Sequence, residues 1–198
     1  MTAPYVIDSA AQDVLFRAAR TANTFTDEPV TDEQIAALYD LVQWGPTTMN
    51  CQPMRLVVAR SAEARATVIE HLLPGNRAKS EQAPLIAVVA ADTNYHDHFE
   101  RTFPHFPGAR DLHADDQFRL ATARSQTWLQ AGYLIVGIRS IGLAAGPMLG
   151  YDAAGLDAAM FAGSGLVSVM VLNIGRPGPD AWWERLPRLP LDEVVLER

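Results

Sequence analysis

The stretch "LIAVVAA", residues 85–91, constrains this chain more than any other, because β-branched residues cluster there with no polar residue to face water. A strand of that kind is covered on both faces, so the chain must build layers around a sheet. "LVVAR" (56–60) reads as a second, short strand and "LVSVMVLNIG" (166–175) as a third. Helical spacing fills the intervals. A first helix runs over about 9–19, with Ala10, Val14, Leu15 and Ala18 on one stripe. A second opens at "TDEQ", where Thr31 caps and Gln34 reaches back, carries Ile35, Leu38, Leu41 and Val42, and stops at Gly45-Pro46. "AEARATVIEHLL", about 120–141 and about 153–161 make three more. Strands separated by helices imply an α/β or α+β layered fold.

At 198 residues and 48% hydrophobic content, the expectation is one compact domain over 1–198. Sixteen Lys plus Arg against 23 Asp plus Glu give a net charge of −7, which disfavours nucleic acid and anionic membranes as partners. Any anionic ligand must then find locally concentrated positive charge. The single cysteine, Cys51, has neither a disulfide partner nor zinc-type spacing around it, so a reducing cytoplasm fits. The N-terminal stretch "MTAPYVIDSAAQD" lacks the pattern of a secretory leader. Residues 128–149 are apolar but interrupted by Gln130 and Arg139, and read as a helix buried in protein rather than in a membrane.

Three further stretches invite a functional reading. "WGPTTMNCQP" (44–53) joins a helix to a strand with small polar residues; it is either a connector whose Thr47, Thr48 and Asn50 satisfy turn backbone, or a binding loop. Residues 92–117 are polar, aromatic and broken by prolines, as in a lid-like insertion. The tail, 176–198, is rich in proline, carries Trp182-Trp183, and reads as wrapping over a surface, in an oligomer a partner's. No phosphate loop or dinucleotide fingerprint is present. "GPMLG" (146–150) is a turn whose backbone can approach a flat ligand closely. His96, Asp97 and His98 raise a metal-hydrolase alternative, but no third ligand accompanies the two histidines, and no metal is expected.

"RTANTF", "WGPTTMNCQP", "GNRAK", "GLAAGPMLGYD" and "RLPRLP" follow one another in the order and spacing of the nitroreductase-like FMN flavoproteins, which the chain resembles over nearly its whole length. Within them it looks most like the malonic-semialdehyde reductase branch associated with pyrimidine breakdown. The resemblance implies an α+β, three-layer α/β/α sandwich with a central mixed, mainly antiparallel sheet. It also implies FMN, with NADH or NADPH as reductant, and a homodimer with flavin sites at the subunit interface.

Carried over residue by residue, the resemblance gives Arg20 and Arg188 the FMN phosphate, with Thr21, Ala22, Asn23 and Thr24 beside it. Many relatives have a serine and a second basic residue where Ala22 and Thr24 stand, so Asn23 and Thr24 are expected to supply hydrogen bonds instead. Asn76 matches the partner of the pyrimidine edge and Lys79 the cation beside N1 and O2; from the residues alone, Lys79 would be a solvated charge. Pro147, Met148, Leu149 and Gly150 should approach N5, while Pro46, Thr47, Thr48, Met49 and Asn50 should reach the flavin of the other subunit. Cys51 reads as packing rather than redox chemistry. No protein acid–base pair stands out, since the flavin carries the hydride. For a carboxylate-bearing aldehyde the candidate substrate residues are Met49, His105, Phe106 and Arg110, unless Arg110 pairs with Asp111 or Asp115 on the surface. A general nitro or quinone reductase is the alternative, and a non-catalytic flavin-binding or interaction protein the alternative of another class.

Overall fold

The computed structural model describes residues 6–198; residues 1–5, which open the stretch read as lacking a leader, lie outside the described residues. The elements in chain order are α1 (Ser9–Gln12), continued by a π turn (Asp13–Arg17), α2 (Asp32–Val42), β1 (Met54–Ala59), α3 (Ala62–His71), α4 (Pro74–Glu81) and β2 (Leu85–Asp92). They continue as α5 (Phe99–Thr102), α6 (Asp116–Ser140), β3 (Ala144–Met148), α7 (Ala153–Met160), β4 (Leu166–Gly175) and α8 (Leu191–Val194).

The sheet has the order β1-β2-β4-β3, and every pairing is antiparallel. The expectation of a mixed sheet is therefore corrected for this chain. β2 is buried along its whole length because its two faces serve two cores. Leu85, Ala87 and Val89 point toward α2 and α6, packing with Leu38, Leu134 and Ile138. Ile86, Val88 and Ala90 point the other way, into a core with Val68 of α3 and Leu156 of α7. Period-two alternation between two helical layers keeps residues 85–91 apolar, and the first polar side chain, Asp92 at the strand's end, is paired with Arg55.

Local chemistry sets the helix ends. Thr31 Oγ1 accepts from the Gln34 backbone at 3.2 Å while Gln34 Oε1 accepts from the Thr31 backbone at 2.9 Å, which is the expected capping box. Gly142, with φ of +78°, ends α6 in the left-handed conformation that glycine adopts without strain.

Four elements escape sequence reading, the short α5 and α8 together with β3 and α4. β3 lies inside "GLAAGPMLGYD" and overlaps the "GPMLG" read as a turn, and α4 covers the whole of "GNRAK". Two readings need correction. The first helix does not run evenly to residue 19, because it widens into a π turn at Asp13. Nor is α6 wholly buried: Trp128, Leu129 and Tyr133 are exposed. Among the described residues, no helix is long and apolar enough to cross a membrane.

Candidate active site

The π turn at the end of the first helix sets the path of the chain into the loop at Arg20. The Ala18 amide donates to the Asp13 carbonyl at 2.8 Å and the Ala19 amide to the Phe16 carbonyl at 3.1 Å, so the Val14 and Arg17 carbonyls are left open at the helix end. Arginines fill these positions. Arg139 Nε donates to the Val14 carbonyl at 2.7 Å, and Arg185 donates to the carbonyls of Arg17 and Ala19. Arg20 donates to the Ala19 carbonyl at 3.1 Å.

These side chains and Arg188 surround a cavity of about 370 Å³ whose walls also include Thr21, Asn23 and Pro147. The only acid in the lining is Glu184. Among the described residues, none of the four arginines has an ion-pair partner within 4.0 Å. Burial, together with the nearby charge of Arg20, lowers the pKa of Arg139. In a chain of net charge −7, this is the local positive charge that an anionic ligand requires.

The loop from Arg20 to Thr24 is seated by its backbone. The Ala22 amide donates to the Ala145 carbonyl and the Asn23 amide to the Ala181 carbonyl, each at 3.0 Å. Gly146 permits this approach, since a Cβ there would lie 2.8 Å from the Ala22 carbonyl oxygen. Ala22 is buried, and the Thr24 hydroxyl is buried against Gly178, so neither lines the cavity.

Beyond Pro147, the chain leaves β3 and meets α4. Asn76 Nδ2 donates to the Gly150 carbonyl at 2.9 Å, and a Cβ on Gly150 would come within 2.7 Å of that same nitrogen. The contact of Asn76 with Gly150 thus makes a wall where the chain after β3 meets α4. Met148 is itself buried, leaving the Leu149 side chain exposed. Behind this wall, Asn173 Nδ2 donates to Ser80 Oγ at 3.0 Å, fixing the turn of α4 next to Lys79. Lys79 is half-buried and has no ion-pair partner among the described residues; burial lowers its pKa.

The loop from Pro46 to Asn50 lies elsewhere. It precedes β1 at the edge of the sheet opposite β3. Three inter-strand spacings separate those edges, about 14 Å. The Thr48 amide donates to Gln126 Oε1 at 2.8 Å and Asn50 Nδ2 to the Thr102 carbonyl at 2.8 Å, so the loop is held between α6 and the lid. Met49, Asn50 and Gln52 all have positive φ, a strained backbone for residues other than glycine.

A profile described as the nitroreductase family matches residues 16–176, most of the chain. The chain belongs to the nitroreductase family. A Streptomyces griseus protein provisionally named NADH dehydrogenase/NAD(P)H nitroreductase is 53% identical over 191 residues, covering 96% of this chain and 97% of its own. A Leptothrix cholodnii protein of the same provisional name is 42% identical over 189 residues, covering 95% and 96%. Among solved structures, a provisionally described nitroreductase in complex with FMN from Exiguobacterium sibiricum superposes with a TM-score of 0.83 at 20% identity, over the full length of both chains. The NADPH:FMN oxidoreductase from Vibrio harveyi, complexed with NAD+, gives 0.75 at 23% identity, over 94% of this chain and 76% of its own. At such identities the structures establish the fold.

In this nitroreductase-family chain the lid-like stretch packs on its own small core. Tyr95 Oη lies 2.6 Å from His113 Nδ1, and both residues are buried with Phe99. The rings of Phe103 and His105 are in contact, their centroids 4.0 Å apart and their planes tilted by 58°. Phe106 and Arg110 border a depression of about 500 Å³ that is separate from the arginine cavity. Arg110 pairs with Asp97 through contacts of 2.9 and 2.8 Å, rather than with Asp111 or Asp115. Among the described residues, no three His, Cys, Asp or Glu side chains converge as a metal-binding group. Cys51 is fully buried, and that burial raises its pKa to about 11, which leaves it an unreactive thiol at neutral pH.

Arg139 and Arg185 are the cavity residues that sequence reading missed. The signal for Arg139 was present, as a charge interrupting an apolar helix, but it bore only on the membrane question. Arg185 carried none beyond its place in "RLPRLP".

Proposed function

We propose that this protein is an FMN-dependent NAD(P)H oxidoreductase that works as a homodimer. The observation that carries the reading is the cavity beside Arg20, lined by four arginines that have no ion-pair partner among the described residues, with the Arg20–Asn23 loop and Pro147. Such a place fits a phosphate on a flat ring, and names of relatives that mention NAD(P)H, FMN or NAD+ support the assignment.

In this reading Arg20 and Arg188 hold the phosphate by their forked donors, with Thr21 and Asn23 adding hydrogen bonds. Bound FMN supplies hydride transfer between the nicotinamide and the acceptor. Lys79 places positive charge beside the ring edge that gains negative charge on reduction, favouring the reduced state. Asn76 can offer its remaining amide hydrogen and its oxygen to the pyrimidine edge, while its bond to Gly150 holds the wall at N5. Pro46, Thr47, Thr48, Met49 and Asn50 serve the flavin of the other subunit, because the width of the sheet keeps them from their own. Exposed Trp44, Trp128, Leu129 and Tyr133 form the apolar surface that such a dimer would cover.

The acceptor indicated by the sequence resemblance is malonic semialdehyde, reduced to 3-hydroxypropionate, with Met49, His105 and Phe106 beside it. A general nitro or quinone reductase is the second reading. One observation favours it: the charge of Arg110, the candidate anchor for a substrate carboxylate, is already engaged by Asp97.

Purified protein should be yellow, release FMN on denaturation and be bleached by NADH or NADPH. Initial-rate lines at several fixed acceptor concentrations should run parallel, since both substrates use one flavin face in turn. A colourless protein that takes up no added FMN refutes the flavin reading. Turnover of malonic semialdehyde set against a nitroaromatic decides between the acceptors.

A further inference from the structure

We infer that Arg139, on the last turn of α6, is a phosphate-neutralising residue that takes over from the basic side chain missing in the loop after Arg20. The inference rests on the flavin reading above and adds to it a residue from a distant part of the sequence. Ala22, Asn23 and Thr24 bring no charge to the cavity, and Ala22 and Thr24 do not face it. A phosphate monoester brings a charge of about −1.5 to −2. In the reading above Arg20 and Arg188 face that charge, and the loop after Arg20 adds no cation of its own.

Arg139 is built into place rather than merely nearby. Its Nε is tied to the Val14 carbonyl, which the π turn at the end of the first helix leaves open. That bond engages the inner edge of the guanidinium and leaves both terminal nitrogens without a protein hydrogen-bond partner among the described residues. The same cavity takes in Arg20, Arg188 and Arg139 together.

A cation at a helix C-terminus also complements the helix dipole. That role, however, does not require placement in one cavity with a second arginine. A dianion in this cavity would offset the repulsion between Arg139 and Arg20. The irregular end of the first helix is thus the device that collects arginines: Arg139 at Val14, Arg185 at Arg17 and Ala19, Arg20 at Ala19.

The test compares FMN with riboflavin, which has the same ring and no phosphate. Both are titrated into the full chain stripped of flavin, with flavin fluorescence as the readout. Arg139→Gln should raise the Kd for FMN about 10- to 100-fold, the range of a lost charge-assisted contact, and change the Kd for riboflavin less than about twofold. Arg139→Lys, which keeps the charge and loses the fork, should weaken FMN by a smaller factor with riboflavin again unchanged. If the glutamine variant does not fold, the lysine variant decides: a loss selective for FMN supports the assignment and its absence overturns it. Equal weakening of both flavins assigns Arg139 to holding α6 in place and overturns the inference, as does an unchanged Kd for FMN. A wild-type chain that binds neither flavin overturns the flavin reading and this inference with it. Wild-type binding of FMN with no effect of Arg139 overturns this inference alone.

Discussion

Gly137→Ala tests how tightly the arginine-bearing helix is held, because two opposite effects compete at that residue. Gly137 sits in α6 where it crosses α2. A Cβ added there would lie 2.3 Å from Val42 Cγ1 and 2.9 Å from Leu38 Cδ1, both on buried side chains. Helix propensity favours alanine over glycine by about 1 kcal/mol. Overpacking opposes it, at about 1–3 kcal/mol, and contacts this far inside van der Waals distance belong near the upper end. Val42 cannot step aside easily, since a valine in a helix has one strongly preferred rotamer. The net expectation is a loss of about 1–2 kcal/mol, or a fall in Tm of roughly 2–8 °C for a chain of this size.

The assay is urea unfolding at fixed protein concentration, followed by circular dichroism, with Val42→Ala and the double variant alongside. Val42→Ala alone removes buried methyl groups and should cost on the order of 2 kcal/mol. In the double variant the new methyl occupies part of the space left by Val42, so the two losses should fall short of additivity by about 1 kcal/mol or more. Gly137→Ala at or above wild-type stability, or strict additivity in the double variant, would refute the claim that this crossing is packed to its limit.

Lys79→Met should leave the fold intact and make the two-electron potential of the bound flavin more negative by roughly 30–65 mV, the equivalent of one charged hydrogen bond; an unchanged potential in the FMN-replete variant would place Lys79 away from the ring. The buried pair Tyr95 and His113 predicts a pH dependence. The pKa of His113 is lowered by burial and then by His96 and Arg119, and that of His96 is lowered chiefly by burial, with Asp97 opposing. The unfolded histidines take up protons near pH 6.5 and the folded ones less readily, so stability should fall as pH drops from 7.5 to 5.5, by at most about 1.4 kcal/mol per pH unit for each histidine. His113→Gln should flatten that slope, and a wild-type stability that is level across this window would show that the histidines are not held neutral. Because Asp97 engages Arg110, Arg110→Ala should alter KM for malonic semialdehyde and for an uncharged quinone alike; a rise confined to the aldehyde would restore Arg110 as the carboxylate anchor.

The sequence made some of this architecture legible and hid the rest for identifiable reasons. Residues 85–91 announced a doubly covered strand, and Thr31 with Gln34 announced a helix start, because both signals are local. β3 stayed hidden because "AAGPM" contains no β-branched residue and includes glycine and proline. It is a strand by virtue of its pairing with β4, at a sheet edge where proline is tolerated. α4 stayed hidden because it is short and polar, with proline in its first turn and Ser80 as its one buried residue. The positive φ values of Met49, Asn50 and Gln52 have no sequence signature, since none of the three is glycine. At the site, Arg20, Thr21, Asn23, Pro147 and Arg188 could be named from motifs, and the structure gathers them around one cavity. Arg139 could not be named, because its relevance depends on a carbonyl 125 residues earlier in the chain.

The polar breaks in α6 share one explanation. Gln126 receives the Thr48 amide, Gln130 receives the Met54 amide at 3.0 Å, and Arg139 donates to the Val14 carbonyl. Each satisfies a backbone group of a segment far away in the chain. Gln126 and Gln130 are one helical turn apart and clamp the strained loop and the start of β1 along one line of the helix. Arg139, more than two turns further on, lies at the arginine cavity. One helix therefore connects the loop at the first edge of the sheet to the cavity beside the last strand. In the proposed dimer these are parts of two different flavin sites, so a shift along α6 would reach both at once.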